Sequence, residues 1–126
     1  MTRDLLERVV KALFGQVSTG TYSLPNDTNE NDALTFTTNK KRRLRILFDL
    51  NNLVQNIEVR EYHKVDGTNY RQTSFKTWTT DFDTGAKALE FDVVQMDCDY
   101  KITITSVVAQ GAAKDIPYRY MWETRV

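Results

Sequence analysis

Residues 62–71 read YHKVDGTNYR and hold the chain's one histidine, His63, three positions before Asp66, with Asn69, Tyr70 and Arg71 following. A histidine near a carboxylate can serve as a general base, but it needs a nucleophile or a metal to act on, and neither is suggested nearby. Asp66-Gly67 between two β-prone runs is instead a strong hairpin signal, because glycine accepts the positive φ of a tight turn. The expectation is a turn at Asp66 and Gly67, with strands ending near Val65 and resuming near Thr68. Tyr70 then lies across from His63, which alternates in register with Ile57 and Val59 at the rim of the core.

The other chemistry-bearing stretches give way to plainer readings. Asp27, Asn29 and Asn31 stand at alternate positions, as at the start of a calcium loop. Asp32 occupies the glycine place and Thr38 the place of the bidentate glutamate, so an ordinary polar loop is expected. DFD at 81–83 and DCD at 97–99 read as turns. Lys40, Lys41, Arg42, Arg43 and Arg45 form one basic run, but nucleic-acid modules add a basic surplus and stacking aromatics to such a stripe. A solvated strand face, or a charged edge that blocks aggregation, is the better reading. Tyr70, Trp78, Tyr118, Tyr120 and Trp122 could furnish a sugar-stacking platform. Three of them share the parity of Ile116, which is the parity of a core face. No phosphate loop, nucleophile elbow or paired glycosidase carboxylates can be assigned. No catalytic residue, cofactor or metal site is assigned, and an enzyme is not expected.

The elements that position these residues fall into two kinds. Leu6, Val9, Val10 and Leu13 recur at three- and four-residue spacing, which predicts an amphipathic helix over 1–15 with Thr2 at its start and Gly15 at its end. So short a helix needs a partner for its apolar stripe, and these four residues are the candidate assembly interface. Residues 16–32 are rich in Ser, Thr, Asn, Asp, Gly and Pro and read as a polar linker. From residue 33 the period changes to 2. Leu44, Ile46, Phe48 and Leu50 alternate with charged residues, as do Ile57 with Val59, Leu89 with Phe91, Ile102 with Ile104, and Ile116 with Tyr118. About seven strands without helical crossovers, over 33–126, indicate an antiparallel β-sandwich, jelly-roll or immunoglobulin-like.

Composition narrows the class further. A chain of 126 residues suits one domain with a real core. Seventeen basic and seventeen acidic residues cancel, so no net field draws it to nucleic acid or an anionic membrane. One cysteine excludes an intrachain disulfide, and no long apolar run is present to span a membrane. The first residues lack the unbroken apolar centre of a signal peptide, which implies synthesis in a reducing cytoplasm.

Four stretches taken together, GTYSLPNDTNEND, YHKVDGTNYR, WTTDF and AQGAAKDIPYRYMWE, resemble small β-sandwich virion proteins of tailed phages and environmental viruses. The resemblance covers roughly residues 18–123 and rests on turn and strand residues. It implies a structural subunit that decorates or completes a capsid or tail, working as a homo-oligomer with other virion proteins, made in the host cytoplasm and located in the virion. No catalytic residues accompany it. The alternative is a carbohydrate-binding β-sandwich module that uses loop aromatics.

Overall fold

Apolar-polar alternation puts every second side chain of residues 57–63 indoors. Ile57, Val59, Glu61 and His63 are buried, while Glu58, Arg60 and Tyr62 face outward and are half-buried. The same rule builds the whole molecule, which a computed structural model describes over residues 17–37, 42–80 and 87–124. The expected helix over 1–15, with Leu6, Val9, Val10 and Leu13, lies outside the described residues, as do Lys40, Lys41 and the DFD stretch.

Eight strands follow in order: β1 (Ser18–Leu24), β2 (Glu30–Phe36), β3 (Arg42–Asp49), β4 (Ile57–His63), β5 (Arg71–Trp78), β6 (Ala88–Val94), β7 (Tyr100–Ser106) and β8 (Lys114–Thr124). They form two four-stranded antiparallel sheets, ordered β1-β8-β3-β6 and β2-β7-β4-β5. The first strand pairs with the last, the second with the seventh, the third with the sixth and the fourth with the fifth. The chain is thus one long hairpin rolled over on itself, which is the jelly-roll order rather than the immunoglobulin one.

The interior is filled from both sheets. Leu44, Ile46, Phe48, Phe91 and Ile116 come from one, and Ile57, Val59, Trp78, Tyr100, Ile102 and Ile104 from the other. Phe48 meets Phe91 edge-on at 5.9 Å, and Phe36 meets Tyr120 edge-on at 5.0 Å across the two sheets.

Two expectations from the sequence are corrected here. Residues 16–32 are not a linker, because β1 and the first part of β2 lie within them, and the sandwich therefore begins at Ser18. The inward positions of β1 are Ser18, Gly20, Tyr22 and Leu24, so only two apolar side chains mark the strand and its alternation is faint. Gly20 has its own reason. A Cβ there would come within 2.5 Å of Cζ of Tyr118, the residue paired with it on β8.

The second correction concerns the hairpin. β4 ends at His63 and β5 begins at Arg71, so the loop is longer than a two-residue turn. The Gly67 N–H donates to the Lys64 carbonyl at 2.9 Å, which makes Val65 and Asp66 the central pair, and Gly67 (φ 81°) takes the left-handed position after them. The Asp66 carboxylate stabilises the extra residues by accepting from the N–H groups of Thr68 (2.9 Å) and Asn69 (2.7 Å). His63 consequently pairs with Arg71 rather than facing Tyr70.

Candidate functional site

The β4–β5 loop and the β6–β7 turn stand side by side at one end of the sandwich and enclose a cleft of ≈ 510 Å³. The register places His63, the last residue of β4, on its lining from below. Val65 and Gly67 come from the loop, Thr73 from β5, and Val94, Met96 and Cys98 from the end of β6 and the turn after it.

The β6–β7 turn is held by the Cys98 N–H, which donates to the Gln95 carbonyl at 3.3 Å. Its two central residues, Met96 (φ 59°) and Asp97 (φ 60°), both adopt the left-handed conformation. That geometry suits a tight hairpin; aspartate tolerates it, while it strains a residue such as Met96. Met96 is 70 % exposed, so the turn holds a large apolar side chain in water beside Val65 and Val94, which are also exposed.

His63 is 9 % exposed. Its Nδ1 lies 2.7 Å from the Thr73 hydroxyl, and that hydroxyl reaches the Glu61 carbonyl at 3.4 Å. The Thr73 hydroxyl can donate to Nδ1 or accept from it, and buried Nε2 has no hydrogen-bond partner. Burial lowers the pKa of the ring, against the opposite pull of the Glu61 carboxylate and the Val94 carbonyl. Beneath it Tyr100 lies 4.8 Å away, ring to ring, and its hydroxyl donates to Glu61 Oε1 at 2.5 Å.

This arrangement places one buried ring nitrogen without a hydrogen-bond partner under an apolar rim. Burial, followed by the charges of Asp99 and Asp97, pushes the Cys98 thiol up, and Sγ donates to the Gln95 carbonyl at 3.2 Å. Among the described residues no group of three or more His, Cys, Asp or Glu is placed to hold a metal ion, and no helix is long and apolar enough to cross a membrane.

The remaining sequence candidates are dispersed. Asp27 Oδ1 accepts from the Asn29 N–H at 3.0 Å and from Asn31 Nδ2 at 3.2 Å, so the polar loop closes on itself. DCD lies at the β6–β7 turn, as expected. Arg43 grips Asp92 with two hydrogen bonds (2.7 and 2.5 Å), and Arg45 holds Glu90 at 2.5 Å. β3 is an interior strand, so Arg43 and Arg45 lie on a solvated face and not an edge, and their charges are matched across to β6. Trp78 is buried in the core, while Tyr118, Tyr120 and Trp122 pack against it as a stack. Among the described residues, Tyr62, Tyr70 and Phe75 are aromatics that lie outside, beside the β2-β7-β4-β5 sheet. Lys101 Nζ sits 5.3 Å from the Tyr62 ring and 4.6 Å from that of Tyr70, and the Arg60 guanidinium covers Phe75 at 4.9 Å. Tyr62 and Phe75 were missed as surface residues, although both sit at the outward parity of their strands.

No family model and no curated protein matches the sequence. Among solved structures the fold is similar to a chain of the equine rhinitis A virus capsid, a picornavirus (TM-score 0.60, 6 % identity, 91 % of this chain and 74 % of that one). It is similar to a chain of the capsid of Helicobacter pylori bacteriophage KHP30 (TM-score 0.56, 8 % identity, 89 % and 90 % covered). It is also similar to the Yersinia pseudotuberculosis-derived mitogen (TM-score 0.57, 9 % identity, 84 % and 85 % covered). At such identities the likeness is one of fold, and a jelly roll serves many functions.

Proposed function

We propose that this chain is a non-enzymatic structural subunit of a virion, a capsid or tail accessory protein that acts by assembling with its own copies and with other virion proteins. The observation that supports the reading is the two-sheet β fold, which is similar over 91 % and 89 % of the chain to two viral capsid chains. In this reading the stripe of Leu6, Val9, Val10 and Leu13 is the assembly interface, and the protein is made in the host cytoplasm and ends in the virion.

The mitogen carries the same fold, so assembly itself has to be measured. Light scattering of the full chain across a wide concentration range is expected to give a mass above 14.6 kDa that grows with concentration. A monomer at every concentration, with no particle formed, rejects the reading.

Carbohydrate binding is the second reading, favoured by Tyr62, Tyr70 and Phe75 beside one sheet. Glu30 lies on the same side, where it accepts from the Tyr62 hydroxyl at 2.6 Å and from that of Thr103 at 2.9 Å. Binding on a glycan array that is lost in Tyr62→Ala would select it over assembly.

A further inference from the structure

Each sheet ends in two edge strands, β1 and β6 in one, β2 and β5 in the other. An edge presents unpaired N–H and C=O groups to any strand that comes beside it, and charges, inward lysines and bulges are what block such pairing. Three of the four edges are blocked. β5 has an extra residue, Thr73, between its pairs with Glu61 and Tyr62, and its Lys76 shares the inward side of Val59, its partner on β4. Lys76 Nζ donates to the Glu90 carbonyl of β6 at 3.0 Å and lies 4.4 Å from the centre of the Phe91 ring, so one charge guards both strands on that side. β6 adds Glu90 and Asp92 of its own. β2 carries Glu30 and Asp32 and shifts register between Asp32 and Leu34. β1 has none of these devices. Its seven residues, STGTYSL, include no charge and no proline, and they pair with β8 in unbroken register from Ser18 to Leu24. Among the described residues, no backbone group outside β8 bonds to β1, so its other edge is open.

We infer that this edge pairs with β1 of a second copy, antiparallel about a two-fold axis at Thr21. The inference rests on the assembly reading above and adds a contact to the stripe. Charge selects the occupant. A two-fold axis sets a strand against itself, which brings like charges to the join at β2, β5 and β6 and brings none at β1. With the axis at Thr21, the exposed outward row meets as Thr21 with Thr21 and Thr19 with Ser23, hydroxyl pairs that favour neighbouring strands. Residues 1–16 of the same chain do not have the pattern of a strand. Glu7 and Lys11 fall on one parity and Arg8 on the other, and the apolar residues recur at helical spacing. Across the axis the two β1-β8-β3-β6 sheets become one, and the charged β6 strands end it, so the product is a closed pair and not a fibre.

The experiment uses the full chain. Thr21→Lys and Thr21→Glu, each alone, set like charges on the axis and are expected to weaken the β1 contact by about tenfold or more, read as a smaller mass in light scattering at equal concentration. An equal mixture of the two variants is expected to recover the parent mass. Thr21→Cys in a Cys98→Ser background is expected to give a dimer-sized band on oxidation that reduction removes, because directly opposed residues lie about 4.5–5.5 Å apart at Cα, within disulfide reach. Amide exchange in β1 of the parent is expected to slow as its concentration rises. Charge variants that keep the parent mass, with no crosslink at Thr21→Cys, overturn the inference and leave the assembly reading in place. A loss of mass that mixing does not recover also overturns it, since the charge then harms the subunit and not the join. So does equal protection of the β1 amides at every dilution, which means that the chain covers its own edge. A monomeric parent chain overturns both readings. Should a charge variant unfold, the crosslink and the exchange decide the matter by the same criteria.

Discussion

The Tyr100 hydroxyl donates to Glu61 Oε1 at 2.5 Å inside the sandwich, two positions along the ladder that pairs His63 with Tyr100. Glu61 sits at an inward position of β4, where alternation calls for an apolar residue. This bond is what makes a carboxylate tolerable there, and burial, followed by Glu61, pushes the Tyr100 hydroxyl well above its ordinary range. Tyr100→Phe removes the donor and leaves the acceptor indoors, so the expected cost is about 1–3 kcal/mol in urea unfolding. Glu61→Gln keeps a carbonyl oxygen for the hydroxyl and should cost less. Equal losses from the two substitutions would show that packing, not the hydrogen bond, decides the site.

Gly20 and Tyr118 form a second such pair. The Tyr118 ring lies over the glycine, held by a stack on Tyr120 at 6.1 Å and an edge contact to Phe48 at 6.4 Å. Gly20→Ala forces the ring to move and is expected to destabilise by about 1–3 kcal/mol. Tyr118→Leu frees the space at its own cost in packing. The double variant should therefore lose less than the sum of the two singles. Strict additivity in thermal melts would sink the proposed contact.

Turn chemistry makes a separate prediction. Hydrogen bonds from the Asn69 and Thr68 N–H groups hold the Asp66 carboxyl down at about 2, against an ordinary value of 3.8. A lowered carboxyl pKa stabilises the fold above 3.8, and that contribution fades as pH falls from there towards 2. Asp66→Ala should lower the melting temperature at neutral pH and flatten its decline over this acid window. Gly67→Val should cost about 1 kcal/mol or more at any pH, because a β-branched residue resists the φ of 81° found there. A variant that melts like the parent would contradict the assigned turn.

These residues also show how far the sequence could be read. β3, β4, β7 and β8 announced themselves, since a half-buried strand must alternate and Leu44, Ile46, Ile102 and Ile104 do so. β1 stayed hidden because Gly20 makes room for a neighbour 98 positions away instead of showing a side chain of its own. The inward parity of His63 was legible, and so was the DCD turn. The cleft above them was not. It joins two turns distant in sequence, and Met96 carries none of the residue signals that normally mark a left-handed position, leaving Asp97 as the one cue. The two-residue hairpin failed for a related reason, since Asp-Gly is read as the centre of a turn and here Asp66 also caps the residues after it.

His63 gives the fold a second acid-sensitive element. Burial lowers its pKa below the ordinary 6.5, so the folded chain favours the neutral ring more than the unfolded chain does. Between the two values the unfolded state binds more protons, and stability must fall as the pH drops below about 6.5. His63→Gln should remove this slope, leaving the loss near pH 3 that belongs to Asp66. The readout is melting temperature against pH for the two proteins. Parallel curves through the range of histidine titration would mean that the ring is as free to protonate in the fold as outside it.

Removal of residues 1–15 separates core from assembly. The interior is packed from the two sheets, with Leu24, Ile116 and Leu44 on one side and Trp78, Tyr100 and Ile104 on the other. None of these positions calls for a further helix to cover it. The four apolar residues of the stripe nonetheless carry a burial free energy of several kcal/mol, at about 25 cal/mol per Å². If that burial happens between copies, the truncated chain should melt close to the parent at low concentration and scatter as a smaller particle. Thermal melts over a dilution series make the comparison, because only an intermolecular contribution depends on concentration. Unfolding of the truncated chain, alongside a parent that is monomeric at every dilution, would assign the stripe to its own sandwich and end the assembly reading.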